Sequence, residues 1–249
     1  MPARTDKTTD PELAAALLLA RRGQAYFSRK LQELRDDQLR GESGLEGWSR
    51  SQLVSHVGLN ARALTHLTEW ARTGVETPMY DSPTQRSDDI EFTATLPVHA
   101  LRNLSDHAAI HLNVEWRDLT DEEWSHSIRT AQGRVVPVRE TVWMRTREVW
   151  VHAVDLANGG SFDDFPPELV DALLTDVVRT LLRPSDDPGP ELRLELTDRV
   201  DPVVVSTGGE DSISLIGTAS NIARWATGRG SDGVVNVNGG NVPAPRRWL

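Results

Sequence analysis

Residues 139–158, RETVWMRTREVWVHAVDLAN, constrain this chain more than any other stretch. The segment is too long for a strand and has no Pro or Gly before Gly159 and Gly160, so the sequence predicts a helix that stops there. At about 3.6 residues per turn, Thr141, Arg145, Glu148, His152 and Asp155 fall on one stripe. Val142, Val149, Ala153 and Leu156 lie beside it, and Trp143, Met144, Trp150 and Val151 cover much of the rest. Such a helix is buried on most sides yet carries ionisable groups, which are costly to bury unless paired or bound to a metal. Glu148 and His152 are four apart and can converge on one point. They read either as an ion pair with a hydrogen-bonded core histidine, or as two ligands of a divalent cation whose third ligand comes from elsewhere.

The remaining helices are read in the same way. Thr9, Asp10 and Pro11 start a helix with an apolar face of Leu13, Leu17, Ala20, Phe27, Leu31 and Leu34, reaching about residue 35. Residues 36–47 form a loop. Ser49 and Gln52 fit a capping box for a helix over 50–73 closed by Gly74. Its inner side holds Leu53, Val57, Leu64 and Leu67, with His56 beside them and Asn60 one turn on. A lone inward histidine needs only hydrogen-bond partners, so His56 alone does not establish a ligand. Residues 75–95 are polar, rich in turn formers and long for a loop without function, and Arg86 is their internal cation.

Pro97 opens a helix to about residue 116, with Leu101, Leu104, Ala108 and Leu112 inward. His107 and His111 on it have metal-ligand spacing, but they flank the inward stripe and are expected to face solvent. A small hairpin follows at 120–138, beginning with the alternating residues 124–128 and turning at residues 131–133. The first part of the chain thus predicts a bundle of four long helices, domain 1–160. After a linker at 159–167 comes domain 161–249, a small α+β unit: a helix at 167–183, a polar break at 184–190, strands at 192–196, 203–206 and 212–216, and a helix at 218–227 ended by Gly228-Arg229-Gly230. The tail is expected to pack as an extended arm.

The formal charge of −10 argues against a general nucleic-acid or anionic-membrane binder, although local arginines can still hold a small anion. There is no cysteine, hence no disulfide, no thiolate ligand and no cysteine nucleophile; any thiol must arrive on a cofactor. No apolar run approaches the roughly eighteen residues of a membrane helix, and the N-terminus is a poor signal peptide, so a cytoplasmic protein is expected. No Gly-rich nucleotide fingerprint occurs.

With these residues placed, the chain resembles the mycothiol-dependent maleylpyruvate isomerases, within the wider DinB-like metal-binding bundle superfamily. The matching segments are LEGWSRSQLVSHVGLNARAL, EWARTGVETPMYDSP, ETVWMRTREVWVHAVDL and TGRGSDGV, with the PAPRRWL ending, and the match spans nearly the whole chain. The resemblance implies an α+β architecture of a DinB-like four-helix bundle followed by a small α/β C-terminal domain. It implies a divalent metal, zinc, held by His56, Glu148 and His152, and mycothiol as thiol cofactor. It implies a catalytic arginine in the second domain, placed at Arg229. From its position one turn past His152, Asp155 is read either as a group that orients a ligand or accepts a proton, and so as the other candidate catalytic residue, or as a helix residue that only backs the ligands. Arg86, Arg224 and Asn60 are the candidates for cofactor contacts. The implied activity is thiol-dependent cis-trans isomerisation of maleylpyruvate to fumarylpyruvate; a monomer is expected. The alternatives are a mycothiol S-transferase acting on another electrophile and a non-catalytic, metal-stabilised interaction module.

Overall fold

The computed structural model describes residues 5–181, 192–199, 205–206, 212–246 and 248. The predicted break at 184–190, the last two residues of the helix at 167–183 and the first two of the strand at 203–206 lie outside the described residues. The chain divides into two compact units, Met1–Gly160 and Ser161–Leu249.

The first unit is helical. Helix α1 spans Pro11–Glu33, with Asp10 accepting hydrogen bonds from the backbone N–H groups of Glu12 and Leu13. Helix α2 spans Arg50–Thr73. Its capping box forms as the sequence predicts: Gln52 N donates to Ser49 Oγ, and Ser49 N donates to Gln52 Oε1. Gly74 closes it in the left-handed conformation, φ 73°. Then follow α3, Gln85–Ala94; α4, Val98–Asp118; a hairpin of β1, Ser127–Arg129, and β2, Val135–Pro137; and α5, Glu140–Asp155. In the main packing, α1 lies along α5, and α2 lies along α4 while also touching α3 and α5. Leu17, Leu64, Leu67, Leu112 and Trp116 fill part of the core between them, and Ile128 of the hairpin plugs one end. Gly23 lets α1 and α5 approach closely: a Cβ there would lie 2.5 Å from the Trp150 ring and 2.7 Å from Val149.

Three expectations need correction. Residues 75–95 are not all loop, because residues 85–94 form α3, which buries only Ile90, Thr93 and Ala94. So narrow an apolar face, with no side-chain cap at Thr84, leaves little helical signal. The hairpin starts later than predicted, since residues 123–125 make one 3-10 turn that buries Trp124. Finally, α5 ends at Asp155 and not at the glycines: Ala157 already takes φ 50°, and its N–H bonds back to Val154 O at 2.9 Å.

In the second unit, α6, Pro167–Leu181, precedes a sheet of β3, Leu192–Leu196; β4, Val205–Ser206; β5, Ile213–Gly217; and β6, Val235–Asn236. The order is β4-β3-β5-β6, with β3 parallel to β5 in the register Leu192↔Ile213 to Leu196↔Gly217 and the outer pairs antiparallel. Helix α7, Ala219–Ala226, packs on α6, with Thr218 capping its first turn. Strand β6 is too short, at two residues, to register in the sequence pattern.

Candidate metal centre

Helix α5 presents its polar stripe to three neighbouring helices, and each polar group is answered at its own level. Near the start, Trp116 Nε1 of α4 donates to Thr141 Oγ1 at 3.0 Å. One turn on, Arg145 donates to Gln24 Oε1 of α1 at 2.8 Å, and to Val57 O and Asn60 Oδ1 of α2 at 2.7 and 3.0 Å. One turn further, Glu148 and His152 meet His56 of α2. His56 Nε2 lies 2.9 Å and His152 Nε2 3.1 Å from the same carboxylate oxygen, Glu148 Oε2. The two imidazoles stand edge to face with centroids 5.0 Å apart, and Trp48 packs edge-on against His56 at 5.8 Å.

The far end of the stripe fixes the ring of His152. Its Nδ1 donates to Asp155 Oδ2 at 2.8 Å, and Asp155 is 1% exposed. A carboxylate there accepts, so Nδ1 keeps its hydrogen and Nε2 is the nitrogen free to bind a cation. The turn that carries Asp155 is itself tied down. Gly44 N donates to Asp155 O at 2.7 Å, and Arg50 donates to Leu156 O at 2.6 Å and Ala157 O at 3.3 Å. Arg50 opens α2, so one side chain links the start of the His56 helix to the end of the Glu148–His152 helix.

The electrostatics follow from this packing. Burial would raise the Glu148 carboxyl, but attraction to His56 and hydrogen bonds from both imidazoles hold it well below the usual carboxylate range. Burial would lower His152, but its bonds to Asp155 and Glu148 push it up to about 9. Burial wins at His56, whose imidazole is pushed down. Without a metal, the shared carboxylate is thus matched by one imidazolium, on His152.

Sequence reasoning missed Tyr80, one of two tyrosines in the chain. Its phenol is raised by burial and hydrogen-bonded to Arg86, and it feels the Glu148 charge. Arg86 Nη2 in turn lies 3.3 Å from His56 Nδ1. The signal available was an aromatic residue within a polar, Pro-containing segment close to the loop's only arginine.

The structure therefore brings His56, Glu148, His152, Asp155 and Arg86 together. Asn60 stands one level away, engaged by Arg145. Arg224 and Arg229 belong to the second unit. Arg224 bonds Asp232 O and lies 3.6 Å from the Asp232 carboxylate. Arg229 donates to Thr227 O between Gly228 and Gly230, at φ 82° and 100°. His107 and His111 are exposed on α4, with His111 3.7 Å from Glu115.

The donor atoms of His56, Glu148 and His152 lie within 4.8 Å of one another, the one such grouping among the described residues. Two imidazoles and one carboxylate, nearly buried and converging, fit a borderline divalent cation and leave a coordination position open.

Comparison with known proteins shows the family of the chain. The sequence pattern described as the mycothiol maleylpyruvate isomerase N-terminal domain matches residues 20–157. A crystal structure of the mycothiol-dependent maleylpyruvate isomerase is 42% identical, covers 95% of this chain and 97% of its own, and superposes with a TM-score of 0.89. The crystal structure of a histidine-to-alanine mutant of that enzyme matches with the same values. A search of curated proteins finds no match. With this pattern over more than half its length and this identity over nearly all of it, the chain belongs to the mycothiol maleylpyruvate isomerase family.

Proposed function

We propose that the protein is a mycothiol-dependent cis-trans isomerase converting maleylpyruvate to fumarylpyruvate, working as a cytoplasmic monomer. The observation that carries this reading is the 42% identity, over 95% of the chain, to the isomerase of known structure. The buried His56–Glu148–His152 grouping supplies the chemistry.

Rotation about a carbon–carbon double bond requires that its π bond be lost for a moment. Reversible thiol addition does this: the sulfur adds, the saturated bond rotates, and elimination returns the trans isomer with the thiol released. No electrons are gained or lost overall, so no redox cofactor enters. The chain has no cysteine, so the thiol comes from mycothiol. Zinc is the proposed ion; the two imidazoles and one carboxylate support it, and it would supply Lewis acidity that stabilises a thiolate at neutral pH. His56, Glu148 and His152 would hold it, while Asp155 orients His152 through the 2.8 Å bond to Nδ1.

The substrate is a dianion and the protein is net negative, so binding needs local cations. Arg86 and Tyr80 border the centre and can steady a carboxylate or the thiol cofactor. Arg229 is the proposed catalytic arginine. Its guanidinium can grip a carboxylate in bidentate fashion and stabilise the enolate charge that develops on addition. The left-handed glycines on either side of Arg229 support this role, because they let the backbone project the side chain. Ultraviolet assay of maleylpyruvate isomerisation with and without mycothiol tests the reading.

A further inference from the structure

Arg145 is the one ionised group of the α5 stripe that the proposed chemistry leaves unused. It is 2% exposed, yet its three hydrogen bonds all go to neutral oxygens, on Gln24, Val57 and Asn60. None of the ion pairs among the described residues involves it. A buried guanidinium without a touching carboxylate is costly, since hydrogen bonds answer its donors but not its charge. Burial pushes its pKa down to about 10, opposed by the charge of Glu148 one helical turn away. It therefore remains a cation at neutral pH.

Counting the buried charges shows what it does. Glu148 and Asp155 are negative and Arg145 is positive. With a divalent cation and both histidines neutral, the set carries one positive charge in excess, and an anion in the open position restores neutrality. Were Arg145 absent, the cation and the two carboxylates would already balance, and the open position would be suited by a neutral ligand. Arg86 also faces the centre, but it is exposed, so solvent screens its charge.

We infer that Arg145 is a positioning residue that acts through its field, making the open position of the metal centre select anionic over neutral ligands, a thiolate among them. Its fork also ties the α2 turn beside His56 to the α5 turn before Glu148, so a structural role must be separated from this one. The inference rests on the reading that a metal sits on His56, Glu148 and His152.

The test uses the full-length protein loaded with cobalt(II), whose visible spectrum reports each added ligand. Azide serves as the anionic probe, imidazole as the neutral one and mercaptoethanol as the thiol. In Arg145→Met, azide and mercaptoethanol should bind at least about tenfold more weakly, the size expected of one lost charge at low effective dielectric, with imidazole unchanged. Arg145→Lys should bind azide as the wild type does. Asn60→Asp sets a carboxylate against the guanidinium while keeping its bond, and should reproduce the loss of azide binding. This second variant, with Arg145→Lys, keeps the test decisive if Arg145→Met does not fold. Equal weakening of azide and imidazole would show a structural role and overturn the inference, as would unchanged azide binding in both Arg145→Met and Asn60→Asp. A wild type that takes up azide but no thiol would instead overturn the thiol-dependent function, and with it the thiolate as a ligand, while the selection of azide over imidazole by Arg145 would stand.

Discussion

His152 and Asp155 are joined within one turn of α5, Nδ1 to Oδ2 at 2.8 Å, and this bond decides which nitrogen of His152 faces Glu148. Asp155→Asn keeps the volume but removes the anionic acceptor. Partners of this kind set ligand basicity and ring orientation, so zinc affinity should fall by roughly 10- to 100-fold. Competition with a chromophoric chelator measures it, and wild-type affinity in this variant would remove Asp155 from the site.

His56→Ala should abolish stoichiometric metal binding, because one imidazole and one carboxylate are too few protein ligands to hold the ion. His107→Ala, on the exposed face of α4, should retain full metal content. Elemental analysis of the purified variants separates the two, and the opposite pattern would move the metal to α4.

Zinc binding should release about one proton per site between pH 6.5 and 9, since the ion needs neutral His152 and the metal-free imidazole titrates near 9. Apparent affinity should therefore rise with pH through that window and level off above it. The same shift sets the stability of the metal-free protein. A raised histidine pKa contributes stability that is full below its unfolded value of 6.5 and is lost as pH rises through about 9. Glu148 has the opposite sign: its lowered pKa stabilises above 4.5, and that contribution is lost on acidification. Calorimetry in buffers of different ionisation enthalpy counts the proton.

Gly23→Ala should destabilise the first unit by about 1–3 kcal/mol, the usual cost of overpacking, because its Cβ would meet the Trp150 ring and Val149. Urea unfolding monitored by tryptophan fluorescence measures the change.

Arg229→Lys keeps a cation and loses the planar fork. Turnover should fall at least about tenfold, or ~1.4 kcal/mol of transition-state stabilisation, with metal content unchanged. Wild-type turnover would shift the role to Arg224 or Arg86.

Much of the helical unit was legible because its signals are local. Ser49 and Gln52 lie three apart, Gly74 follows the last apolar residue, and the α5 stripe repeats at helical spacing. The grouping of Glu148 with His152 was legible for the same reason. His56 was not fixed by pattern alone, since its meeting with Glu148 crosses 92 residues of chain. Arg145 shows the limit most clearly: the sequence places it on the stripe, but its partners Gln24 and Asn60 come from two other helices. Helix α3 escaped because its burial depends on packing over α2 and not on a repeat of its own, and Tyr80 escaped because it lies outside any periodic element and meets Arg86 only in the fold.

The central claim is that this metal centre isomerises its substrate with a borrowed thiol. The direct measurement is the rate of fumarylpyruvate formation from maleylpyruvate by the zinc-loaded protein, with mycothiol titrated from zero. The expected result is no turnover without mycothiol, saturable turnover with it, full recovery of the thiol at the end, and loss of the rate in His56→Ala. Turnover independent of added thiol, or a thiol consumed in proportion to product, would contradict it.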